Sequence, residues 1–294
     1  MILNTLVEDI RTIIKNKTGI VINDDRVLDL EIVLQSRLTR NSLKSDTYLP
    51  FLKNNYDELI VLASHFTIQA TSFYRNKAHF DRLKFEILPA LIDERRQTKN
   101  KKISILSAGS ATGEEPYTIA MLLRELIFDV RDWDISIIGT DINAEVLEFA
   151  KQGVYSKYKM RNIDLWYIQR YFDKIVQKKQ ILYQLKKEIK DMVIFRQCNL
   201  IREPFELMDL YDVDIILCEN VIIYFNQTSI QRLILNFYKI LRDKGFLFLG
   251  YSETLNIYDH SFIVSWWQES FAYQKDIEKV KNEKEHKIAP VGEF

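Results

Sequence analysis

The spacing of apolar residues predicts an all-helical module over residues 1–70. Apolar side chains recur there at intervals of three and four residues, as on one face of a helix, in the groups Leu6, Ile10, Ile13, Ile14 and Val27, Leu30, Val33, Leu34, Leu38. Asn23-Asp24-Asp25 is expected to cap the second helix. Residues 71–102 are predicted to be a linker with a further helix, from Lys77 to about Glu94.

From residue 103 onward, apolar runs of strand length alternate with amphipathic stretches. This alternation is typical of an α/β fold, a parallel sheet with crossover helices. Strands are predicted at 103–107, 135–140, 192–197, 213–218, 245–251 and about 262–273. Residues 153–191 are rich in Tyr, Phe and Lys and too long for a simple crossover, so an inserted subdomain with β structure is expected there. The polar tail, 274–294, is expected to fray.

The first predicted strand passes through a glycine-containing turn into a helix. Gly109 and Gly113 flank the turn, and Glu114-Glu115 opens the helix. This arrangement brings a bound ligand close to the backbone amides of a helix N-terminus. Two carboxylates would repel a pyrophosphate and attract a cation. A nucleotide-like ligand with positive charge, such as S-adenosylmethionine, therefore suits the turn better than NAD does.

Asp141 closes the second predicted strand. An acidic residue at this position of a nucleotide-binding βαβ unit accepts hydrogen bonds from ribose hydroxyls. The alternative is that Asp141 caps the helix that begins at Ala144, although Asn143 could supply that cap. The glycine turn and Asp141 together indicate a nucleotide-like ligand more specifically than a lone glycine motif does.

Composition excludes several classes of protein. Lys+Arg and Asp+Glu both total 41, so no basic field favours nucleic acid. No apolar run approaches the roughly 20 residues that a membrane span needs, and the N-terminus lacks the features of a signal peptide. The two cysteines are interpreted as buried thiols, and the four histidines lack metal-ligand spacing. We therefore expect a cytoplasmic protein that binds no metal and does not insert into a membrane.

Several motifs occur together in a characteristic order. They are Thr71-Ser-Phe-Tyr-Arg75, the turn from Gly109 to Tyr117, Gly139-Thr-Asp141, Asn199-Leu200, Asp214 to Phe225 and Gly250-Tyr-Ser-Glu-Thr254. Over about residues 5–273 the chain resembles the CheR-type chemotaxis receptor methyltransferases. The resemblance implies a Rossmann-like S-adenosylmethionine-dependent methyltransferase domain at 103–273, with a small N-terminal helical domain and an inserted β-containing subdomain. It also implies methyl esterification of glutamate side chains on chemotaxis receptors.

Carried over position by position, the resemblance implies a cofactor site and two catalytic residues. Glu115 would meet the amino-acid end of S-adenosylmethionine, and Asp141 would meet its ribose. Arg75 would hold the cofactor or the attacking carboxylate, and Tyr224 would point toward the methyl group. The remaining positions implied for the cofactor site are Gln69, Thr71, Gly109, Asn199, Leu200, Cys218 and Glu219. Considered alone, Arg75 could instead pair with Asp81 or Glu86, and Tyr224 could be a core aromatic.

Three residues depart from the pattern of the family. Glu219 stands where the family usually has arginine, Gln69 stands where asparagine is common, and Tyr251 replaces a frequent histidine. Glu219 reverses a charge at the floor of the cofactor site. With Glu114, Glu115 and Asp141 nearby, like charges would raise the pKa of one of these carboxyl groups.

The implied reaction is an in-line displacement on the sulfonium methyl, which leaves S-adenosylhomocysteine. The attacking glutamate, with an unperturbed pKa of about 4.3, needs no general base. The expected partner is the cytoplasmic helical domain of chemoreceptors, with the protein acting as a monomer. The basic residues Lys15, Lys17, Arg26, Arg37, Arg40 and Lys44 would dock on it, or are simply solvated. No glycine lies between Phe172 and Phe195, so direct recognition is expected and not a tether to the receptor's C-terminal peptide.

Other functions remain open at this point. A methyltransferase of RNA or small molecules conflicts with the charge balance and with the absence of an Asn-Pro-Pro-Tyr type motif. A second alternative is a signalling adaptor that binds S-adenosylmethionine but is catalytically impaired, with Glu219 as the cause. An NAD-dependent dehydrogenase ranks third, because Glu114-Glu115 opposes a pyrophosphate.

Overall fold

Helices fill the N-terminal part of the chain. The computed structural model describes residues 2–202, 210–258 and 260–279, without the side chains of residues 2–4. The helices there are α1 (Ile2–Thr18), α2 (Val27–Asn41), α3 (Ser45–Asn54) and α4 (Tyr56–Ser64). Their shared core includes Ile10, Ile14, Leu30 and Leu62, all fully buried. The amphipathic pattern of the sequence therefore produces a helical module with its own core.

Two details of this helical module differ from the prediction. A 3-10 turn, Asp24–Arg26, precedes α2, and the side chain of Asn23 makes no capping hydrogen bond. The predicted cap is therefore wrong. Arg37 is also not on the surface, because its guanidinium binds the carboxylate of Glu58 inside the module. That pairing removes it from any docking surface.

A continuous helical stretch links the module to the sheet. It consists of α5 (Lys77–Arg82), one π-helical turn (Leu83–Ile87) and α6 (Leu88–Gln97). The stretch begins at the predicted Lys77 and ends slightly later than predicted. Its buried residues Phe80, Leu83 and Leu88 pack into a core that also contains Ile103 and Ile105.

The main sheet of the described residues has seven strands. They are β1 (Lys102–Ala108), β2 (Asp134–Asp141), β6 (Val193–Gln197), β7 (Val213–Cys218), β8 (Leu241–Leu249), β9 (Phe262–Trp266) and β10 (Phe271–Lys275), in the spatial order β6-β2-β1-β7-β8-β10-β9. The pairs from β6 to β8 are parallel, and β10 is antiparallel to both of its neighbours. The helices that connect the parallel strands are α7 (Glu114–Leu126), α8 (Ala144–Gln152) and α11 (Gln227–Ile240).

Two strand predictions need correction. The last predicted strand, 262–273, is a hairpin of β9 and β10, closed where the N–H of Trp267 donates to the carbonyl of Ser270 at 2.8 Å. β8 begins at Leu241, directly after α11 ends, and not at residue 245. β10 continues to Lys275, into the predicted polar tail, of which residues 280–294 lie outside the described residues.

A small antiparallel sheet follows α8. It contains β3 (Val154–Ser156), β4 (Phe172–Gln177) and β5 (Gln180–Leu185) in the order β3-β5-β4, with α9 (Leu165–Tyr171) and α10 (Lys187–Lys190) beside it. The β4–β5 hairpin turns at Lys178-Lys179, whose φ angles are 47° and 65°. Both positive values suit the tight turns of hairpins, which usually place Asn and Gly there. This chain makes the turn with two lysines.

The order of the strands determines where a ligand binds. The chain runs outward from β1 to β2 and β6, and then returns to the other side of β1 with β7 and β8. In such open sheets the crevice at the carboxyl ends of the strands, where the order reverses, holds the ligand. The helical module is fixed at this edge, since the N–H of Val21 donates to the carbonyl of Tyr224 at 2.8 Å and that of Asn226 to Gly19 at 3.0 Å.

None of the helices in the described part of the chain combines the length and the apolar character that a membrane crossing requires.

Candidate cofactor site

A cleft opens at the carboxyl ends of β1, β2 and β7, beneath the linker that leaves the helical module. Its empty space, including the part open to solvent, is about 870 Å³. The described residues that line it include all but one of the predicted site residues: Gln69, Thr71, Arg75, Gly109, Glu115, Asp141, Asn199, Leu200, Glu219 and Tyr224. The exception is Cys218, which is fully buried at the end of β7 behind the cleft wall.

The glycine turn forms one wall of the cleft. Gly109 has a φ of +79°, and a Cβ atom there would lie 2.4 Å from Cγ2 of Val221. The N–H groups of Gly109 and Ser110 both donate to the carbonyl of Thr140, at 2.8 and 2.7 Å. Only glycine combines this backbone conformation with so close a neighbour. The turn is therefore held against β2 and stays open toward the cleft.

Asp141 is fixed by backbone donors. Its Oδ1 accepts the N–H of Asn143 at 2.9 Å, and its Oδ2 accepts the N–H of Ala111 at 3.0 Å. Burial raises the pKa of this carboxyl group above its ordinary value. The capping bond of α8 comes from Asn143, whose side chain accepts the N–H of Glu145. The alternative that Asp141 supplies this cap is therefore wrong, and its oriented carboxylate faces the cleft.

The two carboxylates of Glu114-Glu115 point in different directions. Glu114 is fully buried, and its Oε1 lies 2.7 Å from Nζ of Lys159. Glu115 lines the cleft and accepts the hydroxyl of Ser107 at 2.7 Å. Burial, and after it the charge of Glu219, raises the pKa of Glu115 to about 8. Only Glu115 of this pair is available to a ligand in the cleft.

Arg75 reaches the cleft from a well-anchored segment. The preceding Phe73 packs edge-on against Tyr155 and Phe172 of the small sheet, with ring centroids 4.9 and 5.2 Å apart. Arg75 itself is exposed, and its Nη1 donates to the carbonyl of Ala70 at 2.5 Å. The buried aromatic residue thus holds the backbone while the guanidinium remains accessible.

The alternative pairing of Arg75 is wrong. The carboxylate of Asp81 binds Lys77, and that of Glu86 binds Arg82. Arg75 is the single cation among the described residues that line the cleft.

Asn199 and Tyr224 connect the cleft to the helical module. The side-chain amide of Asn199 donates to the carbonyl of Lys17 at 2.8 Å and to the hydroxyl of Tyr56 at 3.1 Å. The hydroxyl of Tyr224 accepts the N–H of Ile68 at 3.0 Å. Tyr224 is half-buried: its ring packs against the core of the helical module and also lines the cleft, with the hydroxyl engaged by the linker.

Glu219 has two partners that the sequence analysis did not identify. Its Oε1 lies 2.6 Å from Nδ1 of His79, and its Oε2 accepts the side-chain N–H of Asn76. His79 follows Asn76 by three positions and Arg75 by four, and residues three or four apart lie about one turn apart where a chain is helical. That spacing was the available signal, but Glu219 is about 140 positions away and nothing in the sequence connects it to them.

Glu253 also belongs to the carboxyl groups at this end of the cleft. Its two oxygens accept the N–H groups of Asn220, Gly250 and Ile223, at 2.7, 2.7 and 3.3 Å. The pKa of Glu253 is nevertheless raised, because burial outweighs these hydrogen bonds.

Comparison with known proteins agrees with this geometry. The family described as "CheR methyltransferase, SAM binding domain" matches residues 69–270, which is more than half of the chain. The chain belongs to the CheR methyltransferase family. It is 34% identical to the chemotaxis protein methyltransferase of Borreliella burgdorferi, over 83% of this chain and 86% of that protein. It is 30% identical to the chemotaxis protein methyltransferase 2 of Vibrio cholerae, over 91% and 92% of the two chains. The chemotaxis protein methyltransferase of Escherichia coli is also 30% identical, over 91% and 90%.

Membership of the family makes S-adenosylmethionine the cofactor of this methyltransferase. The described lining fits that molecule, because Glu115, Asp141 and Glu219 outnumber the single cation Arg75. S-adenosylmethionine carries a sulfonium, an ammonium and a carboxylate, so its net charge is positive. In their ionised form these acidic groups stabilise such a ligand and would repel a dinucleotide.

Proposed function

We propose that this protein methyl-esterifies glutamate side chains on the cytoplasmic helical domain of chemotaxis receptors, with Arg75 and Tyr224 as catalytic residues. The observation that carries the proposal is the composition of the cleft wall in a CheR-family chain. Among its described lining residues there is one exposed cation, Arg75, and no histidine or lysine. A nucleophile that is already an anion suits such a site, since it needs a cation for orientation and no base.

The proposed reaction is a displacement at the sulfonium methyl of S-adenosylmethionine. The glutamate carboxylate forms the new C–O bond as the S–CH₃ bond breaks, and S-adenosylhomocysteine leaves. Arg75 would hold the attacking carboxylate or that of the cofactor through paired N–H donors. Tyr224 would border the path of the methyl group. Alignment of the two reactants supplies most of the catalysis, with effective contributions of up to about 7–11 kcal/mol in well-aligned systems.

The remaining residues would hold the cofactor. Gln69, Thr71 and Gly109 would line its methionine part with Glu115 and Glu219, while Asp141 would accept the ribose hydroxyls. Asn199 and Leu200 would frame the adenine. Cys218 would support the floor from behind. The position of these residues along one cleft supports their roles, with Cys218 as the single one that does not line it.

The helical module would dock on the receptor bundle. Lys15, Lys17, Arg40 and Lys44 are exposed, whereas Arg37 is buried and Arg26 binds Asp29. The outer face of α2 also exposes Leu28 and Ile32, each at 71%. A mixed basic and apolar face of this kind suits an amphipathic helix that presents glutamates. Recognition would be direct, and the protein is expected to act in the cytoplasm as a monomer.

The experiment that tests this proposal is transfer of labelled methyl from S-adenosylmethionine to receptor cytoplasmic fragments, followed by release in alkali. We expect base-labile label on the receptor and at least a hundredfold loss with Arg75→Ala. Arg131→Ala is the matched control, because Arg131 is exposed in the turn before β2, at the opposite end of the sheet. Base-stable label, or label on RNA or small molecules alone, would contradict the proposal.

No observation favours the impaired adaptor. Glu219, the reason for considering it, is not an unpaired charge, since His79 and Asn76 bind both of its oxygens. Cofactor binding without any methyl transfer to receptor fragments would be the result that revives this alternative.

A further inference from the structure

Glu219 is held in a fixed orientation by two residues of one helical turn. The imidazole Nδ1 of His79 lies 2.6 Å from Oε1, and the amide of Asn76 donates to Oε2. Both partners belong to the segment that also carries Arg75, while Glu219 directly follows the last residue of β7. The contacts therefore join the linker helix to the floor of the cofactor cleft.

His79 is enclosed by aromatic rings. It is 1% exposed, and its ring lies 5.2 Å from that of Phe248 and 5.0 Å from that of Tyr251. Its Nε2 has no hydrogen-bond partner among the described residues. Burial lowers the pKa of His79 to about 4, so the imidazole is neutral and carries one N–H proton at neutral pH.

The position of that one proton depends on the charge of Glu219. When Glu219 is a carboxylate, the imidazole proton lies on Nδ1 and is donated to Oε1. When Glu219 is protonated on Oε1, it donates to Nδ1, and the imidazole proton must lie on the unpartnered Nε2. A buried donor without an acceptor is costly. His79 therefore favours the carboxylate, and its tautomer reports the charge of Glu219.

The surrounding charges oppose the carboxylate. Groups from every neighbouring segment act on Glu219: Arg75 and Asn76 from the linker, Glu115 from α7, Cys218 from the end of β7, and Tyr251 and Glu253 from the loop after β8. Burial and the charge of Glu253 raise the pKa of Glu219 to about 8, although Arg75 and Asn76 lower it. Glu115 and Glu219 are therefore coupled and share protons near neutral pH.

We propose that S-adenosylmethionine enters this cleft in exchange for a proton: the cationic cofactor displaces a proton from the Glu115–Glu219 pair to the solvent, and His79 positions the resulting Glu219 carboxylate toward the cofactor. One O–H bond of a carboxyl group breaks, the proton passes to bulk water, and the negative charge that forms faces the positive ligand. S-adenosylhomocysteine lacks the sulfonium charge and displaces fewer protons. The inference depends on the cofactor and not on the methyl acceptor.

The first test measures protons directly. S-adenosylmethionine is titrated calorimetrically into the full chain at pH 7.5, in buffers with different enthalpies of ionisation. We expect about 0.5–1 proton released per cofactor, and an affinity that rises about three- to tenfold per pH unit between pH 6.5 and 7.5. A binding enthalpy that is independent of the buffer overturns the proposal while the cofactor assignment stands. Absence of binding overturns both.

Two variants localise the proton. Glu219→Gln keeps a hydrogen-bonding side chain of similar shape and is expected to at least halve the number of protons released. Asp81→Asn is the matched control, since it removes a carboxylate from α5, the helix of His79, outside the cleft, where Asp81 binds Lys77. It is expected to release protons as the unsubstituted chain does. Equal release from Glu219→Gln overturns the proposal.

A second measurement needs no substitution in the protein under test. The ¹⁵N shifts of the imidazole nitrogens give the tautomer of His79, with His79→Gln used only to assign the signal. At pH 6.5 we expect a shift of the population toward the Nδ1–H tautomer when S-adenosylmethionine is added, and a smaller shift with S-adenosylhomocysteine. An unchanged tautomer on addition of saturating cofactor overturns the positioning role of His79.

Discussion

The hydroxyl of Tyr224 accepts a hydrogen bond from the backbone N–H of Ile68 at 3.0 Å. The two residues are 156 positions apart, and both line the cleft. The backbone of Tyr224 also accepts the N–H of Val21 at 2.8 Å. One residue thus ties the linker and the helical module to the wall of the candidate cofactor cleft.

Tyr224→Phe tests this connection, because it removes the hydroxyl and keeps the ring. A neutral hydrogen bond contributes about 1 kcal/mol, so we expect a similar loss in the free energy of unfolding and about a fivefold loss of affinity for S-adenosylmethionine. Urea unfolding and calorimetry measure the two effects. Tyr211→Phe, at an exposed position, is the control. Unchanged cofactor affinity in Tyr224→Phe would show that the linker does not depend on this bond.

Gly109→Ala tests the glycine turn. The new Cβ would lie 2.4 Å from Cγ2 of Val221, on a backbone with a φ of +79°. Strain of this kind costs about 1–3 kcal/mol, and it would move the turn into the cleft. We expect a corresponding fall in the free energy of unfolding and at least a tenfold weaker binding of S-adenosylmethionine.

Val221→Ala separates the two sources of that strain. Combined with Gly109→Ala, it removes the close contact but not the positive φ. The free energy of unfolding and the affinity for S-adenosylmethionine are therefore expected to recover only in part. Full recovery would assign the effect to the contact alone. An unaffected Gly109→Ala protein would contradict the description of the turn.

The sequence predicted the parallel strands because each is an apolar run of strand length with clear breaks. The β9–β10 hairpin was missed, since its turn near Trp267 lacks a glycine or proline signal. The start of β8 was also missed, because α11 passes into the strand without an intervening loop.

The candidate site was predictable where its residues form local motifs. The turn at Gly109 and the carboxylate of Asp141 each follow a strand directly, so their positions follow from the topology. The partners of Glu219 did not follow, because His79 meets it only through tertiary packing across 140 positions. The burial of Arg37 was also hidden, since the sequence does not show that Glu58 turns inward.

Asn199 couples the proposed adenine pocket to the helical module. Its amide donates to the carbonyl of Lys17 and to the hydroxyl of Tyr56. Asn199→Ala leaves these acceptors unpaired, so we expect a loss of about 1–3 kcal/mol in the free energy of unfolding and weaker cofactor binding. Tyr56→Phe removes one of the two acceptors and leaves Asn199 in place. It is expected to reduce the free energy of unfolding and the cofactor affinity less than Asn199→Ala does. Equal losses would show that the bond to Lys17 contributes nothing.

The buried pair of Arg37 and Glu58 predicts how the helical module responds to mutation. Tyr48 and Asn41 also donate to the carboxylate of Glu58. Arg37→Ala would leave this carboxylate without its cation, and breaking a buried pair in this way costs about 3–5 kcal/mol in the free energy of unfolding. Arg40→Ala, on the exposed side of the same helix, is the control and should change that free energy by less than about 0.5 kcal/mol.

The effect of pH follows from the direction of the shift at Glu58. Burial alone would raise its pKa, but the hydrogen bonds from Arg37, Tyr48 and Asn41 outweigh burial and lower the pKa below its ordinary value of 4.5. A carboxyl group with a lowered pKa stabilises the folded state above the pKa of the unfolded chain, and this contribution is lost as the pH falls through the folded pKa. The loss in the free energy of unfolding caused by Arg37→Ala is therefore expected to be largest at pH 7.5 and smaller below pH 4.5. Urea unfolding in the two pH ranges measures this loss. A cost that stays the same in acid would mean that Glu58 is not the group that Arg37 stabilises.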